Sequence, residues 1–273
     1  MKRGTVIFLL LWLAAAPLWA GELPCVIEPS AEVDLGSPVI GVLDRLDVQR
    51  GDRVRKGQVI GELRAEVERK AIDLATLRAN DQAEVQAALA AREHAKREKK
   101  RAILLFQKKL VSKQYLDKAV TEASIAEHKL EQARHNLAQA RKELALAQAR
   151  LAQRILRSPI DGIVTERYLS PGQRVQDQPV VRIVATDPLD VEIIVPAEHF
   201  NRLRRGQTVR VTPQLAGLDG ATGRIDFIDS IIDPASNTFR VTVKLPNPDG
   251  RIPAGARCQA DLGLDDEPPP PTP

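Results

Sequence analysis

Histidine and cysteine, which often perform catalysis or bind metal ions, are few in this chain and widely spaced. The histidines stand at His94, His128, His135 and His199. His128 and His135 would share a helix face, but their spacing puts them about 10 Å apart along the axis, too far to ligate one ion together. The sequence contains no glycine-rich phosphate loop, nucleophile elbow or metalloprotease helix. We therefore expect no catalytic residue, no metal site, no cofactor and no enzymatic activity.

The two cysteines, Cys25 and Cys258, lie near opposite ends of the chain. In an oxidising compartment they can pair as a disulfide, and two buried free thiols are the alternative. If formed, the bond would tie the N-terminal segment to the last predicted strand. Chain-entropy models assign about 5 kcal/mol at most to a closure of this length.

The first twenty residues have the composition of a secretory signal peptide. Lys2 and Arg3 precede an apolar run of 11 residues, 6–16, and a small residue, Ala20, offers a cleavage site. The run is too short to span a bilayer, which needs about 20 apolar residues. We expect 1–20 to be removed and the remainder to be a soluble exported protein, with a retained N-terminal anchor as the alternative.

The overall charge gives no support for nucleic-acid binding. The formal net charge is +4, and Lys2 and Arg3 contribute two of those charges. Aromatic residues are 3% of the chain, too few for platforms on which bases could stack.

Two stretches repeat each other. Residues 37–63 read SPVIGVLDRLDVQRGDRVRKGQVIGEL and residues 158–184 read SPIDGIVTERYLSPGQRVQDQPVVRIV, aligned by an offset of 121 without a gap. The identical pairs are Ser37/Ser158, Pro38/Pro159, Gly41/Gly162, Gly51/Gly172, Arg53/Arg174, Val54/Val175 and Val59/Val180. Each copy is too small to bury a core alone, so we expect the two to pack together. The intervening segment must then leave and return at nearly the same point.

Residues 64–156 contain no proline or glycine and are rich in strong helix formers. In the second half one stripe runs at spacings of three and four, which is typical of a coiled coil. Its members are Leu116, Ala119, Ala123, Ala126, Leu130, Ala133, Leu137, Ala140, Leu144, Ala147 and Leu151. Because the repeats must meet, we predict a helical hairpin with its tip near 109–113, where Ser112 would cap the second helix.

The first half of this segment is less regular. The register that we predict for it is Ala71, Leu74, Val85, Ala88, Ala95, Ala102 and Phe106. Arg78, Asp81, Arg92 and Lys99 interrupt this register, although long basic stems can cover apolar surface while their charges stay in water.

After the second repeat the pattern changes to short strands. Leu189 to Val195 reads as one strand, and alternation of apolar and polar residues around Val209 and Val241 predicts others. Several such strands in 187–263 indicate a small antiparallel β-barrel. The tail 264–273 is acidic and then proline-rich, which predicts disorder.

The order of these parts resembles the periplasmic adaptor, or membrane fusion protein (HlyD-like), family of tripartite efflux systems. Three segments carry the likeness: GDRVRKGQVIGEL (51–63), SPIDGIVTERYLSPGQRV (158–175) and IDPASNTFRVTVKLPNPDG (232–250). The resemblance implies an elongated, multi-domain α+β protein. A long antiparallel coiled-coil hairpin, 64–156, would be inserted into a split lipoyl-like β domain. The domain boundaries that it implies are a signal peptide at 1–20, an N-terminal strand segment at 21–36, lipoyl halves at 37–63 and 157–186, and a barrel at 187–263.

The same resemblance implies a periplasmic adaptor that bridges an inner-membrane transporter and a TolC-like outer-membrane channel. The transporter would be a resistance-nodulation-division pump or an ABC exporter, and the adaptors would form a ring, commonly of six. Family members that dock onto such channels carry an Arg-x3-Leu-x6-Ser pattern at the hairpin tip. Arg101, Leu105 and Ser112 stand at those spacings. The alternative is that Leu105 is an ordinary seam residue and Ser112 only a helix cap.

The chain departs from the family pattern in one respect. Most members have a membrane-proximal domain after the barrel, and we expect it here to be absent or reduced to a strand.

The sequence also leaves two other functions open. Asp117-Lys118-Ala119 matches the tripeptide around the modified lysine of lipoyl carriers, but Lys118 falls inside a helical pattern. A structural periplasmic coiled-coil protein without transport partners is the other alternative.

Overall fold

The computed structural model describes residues 21–264. The expected signal peptide and all but the first residue of the expected disordered tail lie outside this range. The described chain forms two compact units. One consists of residues 21–32 and 184–264, and we call it the barrel unit; the other, 33–183, we call the repeat unit.

The regular elements are three α-helices, twelve strands and one short 3-10 helix among the described residues. The helices are α1 (Glu66–Asn80), α2 (Ala83–Gln107) and α3 (Lys113–Ala152), and the 3-10 helix is Ala197–Arg202. The strands are β1 (Glu22–Leu35), β2 (Gly41–Leu46), β3 (Arg53–Val54), β4 (Val59–Leu63), β5 (Ile155–Arg157), β6 (Gly162–Arg167), β7 (Arg174–Val175), β8 (Val181–Pro196), β9 (Thr208–Pro213), β10 (Ala221–Ile228), β11 (Thr238–Leu245) and β12 (Arg257–Asp261).

The barrel unit is a closed six-stranded β-barrel. Its strands follow the order β1-β12-β9-β10-β11-β8, and pairing of β1 with β8 completes the circle. Alternate residues of β11 point inward, so Phe239 and Val241 are buried while Arg240 between them is exposed. This inward set and its counterparts on the other strands form one apolar core.

In the repeat unit each copy of the repeat pairs with the other. Strand β2 of the first copy pairs with β7 of the second, and β6 of the second pairs with β3 of the first in the equivalent register. The Gly51 amide donates to the Val164 carbonyl at 2.8 Å, and the Gly172 amide donates to the Leu43 carbonyl at 2.7 Å. These two bonds are related by the sequence offset of 121, so the expected packing of the two copies is confirmed.

The helices leave and re-enter the repeat unit at one place. The Leu63 amide donates to the Arg154 carbonyl at 2.8 Å, which joins the end of β4 to the residue that precedes β5. The Arg154 guanidinium also pairs with Glu68 at 2.7 Å, in the first turn of α1. The helical segment therefore begins and ends within hydrogen-bonding distance, as the repeat requires.

Helix α3 runs antiparallel to α2 and packs against both other helices. Arg92 bonds to Glu127 at 2.8 Å, and Glu84, earlier on α2, bonds to Asn136, later on α3, at 3.3 Å. All eleven members of the stripe from Leu116 to Leu151 are buried or half-buried. The small alanines of this stripe allow the helices to approach closely.

The predicted register of the first half is wrong in part. Ala71 and Leu74 are exposed, and Ala75 and Ala79 are buried in their place. The first half is also two helices rather than one, because the chain breaks between α1 and α2. The register predicted for α2 holds from Val85 to Ala102, but Phe106 at the end of α2 is exposed, so it too is wrong.

Candidate docking site at the helical turn

The turn between α2 and α3 consists of residues 108–112 and is closed by backbone hydrogen bonds. Lys109 has a positive φ of 56°, which lets the chain reverse direction at the end of α2. The Leu110 amide then donates to the Leu105 carbonyl at 2.9 Å. Carbonyls at the end of a helix otherwise lack partners, so this closure gives the turn a defined shape.

Ser112 is the N-cap of α3, as predicted. Its side-chain oxygen accepts a hydrogen bond from the Tyr115 amide at 3.3 Å, and its backbone is extended. The cap satisfies one of the orphan amides at the start of the helix. The hydroxyl is exposed on the turn and retains its own proton for donation.

Arg101 and Leu105 are four residues apart in α2, so they lie on the same side of the helix and about 6 Å apart along its axis. The Arg101 side chain is 67% exposed and bonds to Glu98 at 2.7 Å. Leu105 is half-buried, and Ala102 beside it is fully buried. The guanidinium is therefore available at the surface, and the Leu105 side chain is partly covered and partly in contact with solvent.

Further apolar side chains around the turn were not predicted as part of the site. Among the described residues, those exposed near the turn are Ile103, Leu104, Phe106, Leu110, Tyr115 and Val120. The signal that could have found them is the run of four apolar residues in 103–106. A helix that packs on one side cannot bury four consecutive side chains, so some of them must face water.

The same end of the helices is strongly basic. Residues 96–113 contain eight lysines and arginines against a single glutamate, Glu98. Seven of the eight basic residues are exposed and Lys99 is half-buried. Exposed apolar groups surrounded by positive charge suit a partner surface that is both apolar and acidic.

The other residues that could do chemistry do not converge. Within 21–264 no group of three or more His, Cys, Asp or Glu side chains is placed to hold a metal ion. Lys118 lies in the second turn of α3, with its side chain 74% exposed and paired with Glu122 at 3.9 Å. The tripeptide around Lys118 is therefore helical, whereas a carrier lysine sits in a tight turn between two strands.

In the barrel unit Cys25 of β1 faces Cys258 of β12 directly in the strand pairing. The structure joins them as a disulfide with the Cα atoms 4.9 Å apart, and both residues are buried.

In the described part of the chain, no helix combines the length and the apolar character needed to cross a membrane.

Two family models match the chain and together cover nearly all of its described residues. The model of a CzcB-like barrel-sandwich hybrid domain matches residues 32–186, more than half of the chain. The model of a CusB-like β-barrel domain matches residues 189–265. The chain therefore belongs to the periplasmic adaptor, or membrane fusion protein, family. Its repeat unit carries the CzcB-like domain type and its barrel unit the CusB-like type.

Two relatives of established name are similar in sequence. The chain is 31% identical over 244 residues to the efflux pump periplasmic linker BepF of Brucella suis biovar 1, covering 85% of this chain and 56% of the linker. It is 25% identical over 212 residues to the cobalt-zinc-cadmium resistance protein CzcB of Cupriavidus metallidurans, covering 76% of this chain and 38% of that protein. The chain thus spans about half the length or less of these relatives.

Among solved structures, MacA from Actinobacillus actinomycetemcomitans has a similar fold. The TM-score is 0.72 at 21% identity, over 88% of this chain and 76% of MacA. At this level of identity the likeness concerns the fold alone.

Proposed function

We propose that this chain is the periplasmic adaptor of a tripartite export system and that it performs no catalysis. It links an inner-membrane transporter to a TolC-like outer-membrane channel, and transport through the membranes belongs to those partners. The observation that carries the proposal is the helical turn at 108–112, where exposed apolar groups and a basic surface lie at the end of helices inserted into a repeat unit.

In this proposal the helices form an antiparallel coiled-coil hairpin, and the two repeats form a split lipoyl-like domain at its base. The burial of the whole stripe from Leu116 to Leu151 supports the hairpin. The reciprocal pairing of β2 with β7 and of β6 with β3 supports the split domain. The hairpin, 64–156, then reaches the channel, and Arg101, Leu105 and Ser112 contact the channel's periplasmic end.

The inner-membrane partner is a resistance-nodulation-division pump or an ABC exporter, and the barrel, 187–263, contributes to that contact. Several copies of the adaptor, commonly six in the family, form a ring around the path of the substrate. The protein acts in the periplasm after removal of residues 1–20, in association with the inner-membrane transporter. The names of the relatives, a periplasmic linker and a metal resistance protein, support export as the process.

Recovery of the partners with the tagged full chain tests this proposal. The tagged chain is produced in the organism from which it comes, so that its natural partners are present. The cells are cross-linked before lysis, the chain is purified, and the bound proteins are identified by mass spectrometry. We expect one inner-membrane transporter and one outer-membrane channel. Recovery of neither would favour a structural protein without transport partners. An intact mass above that of the unmodified chain by one lipoyl group would favour a carrier modified at Lys118.

A further inference from the structure

The barrel unit exposes its large apolar side chains unevenly. In the described part of that unit, three of the six that are exposed lie within one short stretch. They are Phe227 at 58%, Ile231 at 74% and Ile232 at 39% exposure. Strands β10 and β11 form a β-hairpin, and the three residues lie at the end of β10 and in the loop that leads to β11. We call these three residues the hairpin knob; the name refers to this β-hairpin of the barrel unit and not to the helices of the repeat unit. Clustered exposed apolar groups on a soluble protein mark a surface that contacts a partner.

The loop that carries the hairpin knob is held in one conformation. Asp229 Oδ1 accepts a hydrogen bond from the Ile231 amide at 3.0 Å. Asp233 Oδ1 accepts from the Ala235 amide at 2.9 Å, and the Asp233 amide donates to the Thr238 carbonyl at 2.8 Å. The two isoleucines are therefore fixed at the surface before any partner arrives. A preordered contact loses less conformational entropy on binding.

The segment that carries the hairpin knob is acidic in sequence, since residues 226–237 contain three aspartates and no lysine or arginine. Asp226 is paired with Arg205 of the barrel unit at 3.0 Å, so Asp229 and Asp233 are the acids that the loop offers to a partner. The hydrogen bond from the Ala235 amide, followed by that from the Ser236 hydroxyl, lowers the pKa of Asp233, so this carboxylate stays charged at neutral pH. An anionic lipid surface would repel such a loop. A protein pocket with an apolar floor and a rim of lysine or arginine would complement it.

We propose that the hairpin knob inserts into an apolar, basic-rimmed pocket of a partner protein. The inference rests on the proposed function, because it takes that partner to be the inner-membrane transporter and names the barrel surface that contacts it. The two isoleucines fill the pocket, and Asp229 and Asp233 face the basic rim. The helical turn of the repeat unit carries the opposite charge.

A photo-reactive residue tests which molecule the hairpin knob touches. A benzophenone amino acid replaces Ile231 in the full chain, and the cells are illuminated before lysis. The same residue at Leu215, an exposed leucine between β9 and β10, is the control. We expect a cross-link from position 231 to the transporter, mapped to a segment that contains apolar residues and lysine or arginine. A product of two copies of this chain, a lipid adduct alone, equal yields at both positions or no product would overturn the proposal.

Substitutions test whether the contact matters for assembly. We expect Ile231→Ser to lower recovery of the transporter about tenfold, as loss of a central apolar contact does. Leu215→Ser should leave the recovery unchanged. Asp229→Asn keeps an oxygen for the Ile231 amide and removes the charge, so recovery should fall at low salt and match that of the unaltered chain at high salt.

The outcomes separate this inference from the proposed function. If the unaltered chain recovers neither transporter nor channel, the proposed function fails and the inference fails with it. If the unaltered chain recovers both and Ile231→Ser recovers the transporter equally well, only the hairpin knob is wrong.

Discussion

Ser112 has a structural role in α3, whereas Arg101 lies at the surface, so substitution of Arg101 is the better test of docking. The Ser112 oxygen caps α3, so its removal would also cost about 1 kcal/mol of stability. Arg101 is 67% exposed and has one exposed salt bridge, to Glu98, three residues earlier on the same helix. Such a pair contributes only a few tenths of a kcal/mol. Replacement of Arg101 therefore changes the surface of the turn with little effect on folding.

We expect Arg101→Asp to abolish recovery of the outer-membrane channel and export of the system's substrate. The reversed charge would repel an acidic partner surface, while the stability of the chain should stay within about 0.5 kcal/mol of its original value. Cross-linked purification measures the channel, and thermal unfolding measures the stability. Arg97→Asp makes the same change of charge at another exposed position of α2 and is the matched control. Equal loss in both variants, or unchanged export in the first, would contradict a specific role for Arg101.

The disulfide between Cys25 and Cys258 makes a separate prediction. The bond links residues 233 positions apart, so it restricts the unfolded chain strongly. We expect Cys258→Ser to lower the free energy of unfolding by about 2–5 kcal/mol under oxidising conditions.

A reductant is the control for this prediction. It should lower the stability of the unaltered chain and leave the double variant Cys25→Ser, Cys258→Ser unaffected. If the reductant changed neither protein, the two cysteines would be free thiols.

The break between α1 and α2 follows from the phase of their buried residues. Ala75 and Ala79 are buried on α1, whereas the inward positions of α2 begin at Val85 and Ala88. Relative to a continuous heptad pattern this is a shift of one residue, or about 100° of rotation. An unbroken helix would therefore turn one of the two apolar faces away from α3. The chain breaks instead, and Asp81 Oδ1 accepts from the Ala83 amide at 2.9 Å to begin α2.

The two related glycines of the repeats should respond alike to substitution. Gly51 and Gly172 have φ values of 94° and 90°, and a Cβ at either would meet no atom within 4 Å. The cost of Gly51→Ala or Gly172→Ala is then backbone strain alone, about 1–3 kcal/mol each. Denaturant unfolding measures this cost. Gly36→Ala, which requires no positive φ and only ordinary contacts, is the control and should be neutral. A large difference between the two glycines would contradict their equivalence.

The ion pair between α2 and α3 should make stability depend on pH. The hydrogen bond from Arg92 lowers the pKa of Glu127 below its usual value of 4.5. Because the pKa of Glu127 is lower in the folded chain than in the unfolded chain, its ion pair with Arg92 stabilises the fold above pH 4.5. This stabilisation is lost as the pH falls through the pKa of the folded chain. We expect Glu127→Gln to remove this part of the acid sensitivity, measured by thermal unfolding between pH 7 and about pH 3. Glu122→Gln, on the outer side of α3, is the control, and an equal change in both would contradict the prediction.

At the scale of the whole chain, the repeat unit is continuous in space although its sequence is interrupted. Leu63 and Arg154, which flank the helices, are hydrogen-bonded to each other. The strands on either side pair directly, since β4 pairs with β5. The core of the repeat unit's β strands is therefore built from residues before and after the helices, and the helices are not needed to close it.

We expect replacement of residues 66–152 by a short glycine-serine linker to leave a folded β protein. The linker has to span only the distance between adjacent strands, so its entropic cost is small. Circular dichroism should show loss of the helical signal, and a cooperative thermal transition should remain. The unaltered chain is the reference for the temperature of that transition. Loss of the cooperative transition would show that the strands depend on the helices.

Much of this architecture follows from local patterns in the sequence. The offset of 121 predicts which segments pair, because two copies of one sequence can form the same hydrogen bonds at positions that differ by that offset. The stripe from Leu116 to Leu151 predicts the buried face of α3, because its period is that of a helix. Ser112 predicts the start of α3, because an N-cap interacts only with its own helix.

Tertiary structure alone decided the features that depend on distant partners. Ala75 rather than Leu74 is buried because α3 determines which face of α1 is covered. Leu104 and Phe106 are exposed because a second helix can shield only one side of α2. Closure of the barrel by β1 and β8 and exposure of Ile231 on a fixed loop likewise depend on residues far away in the chain. Periodicity and capping are properties of neighbouring residues, whereas burial depends on what the rest of the fold places against them.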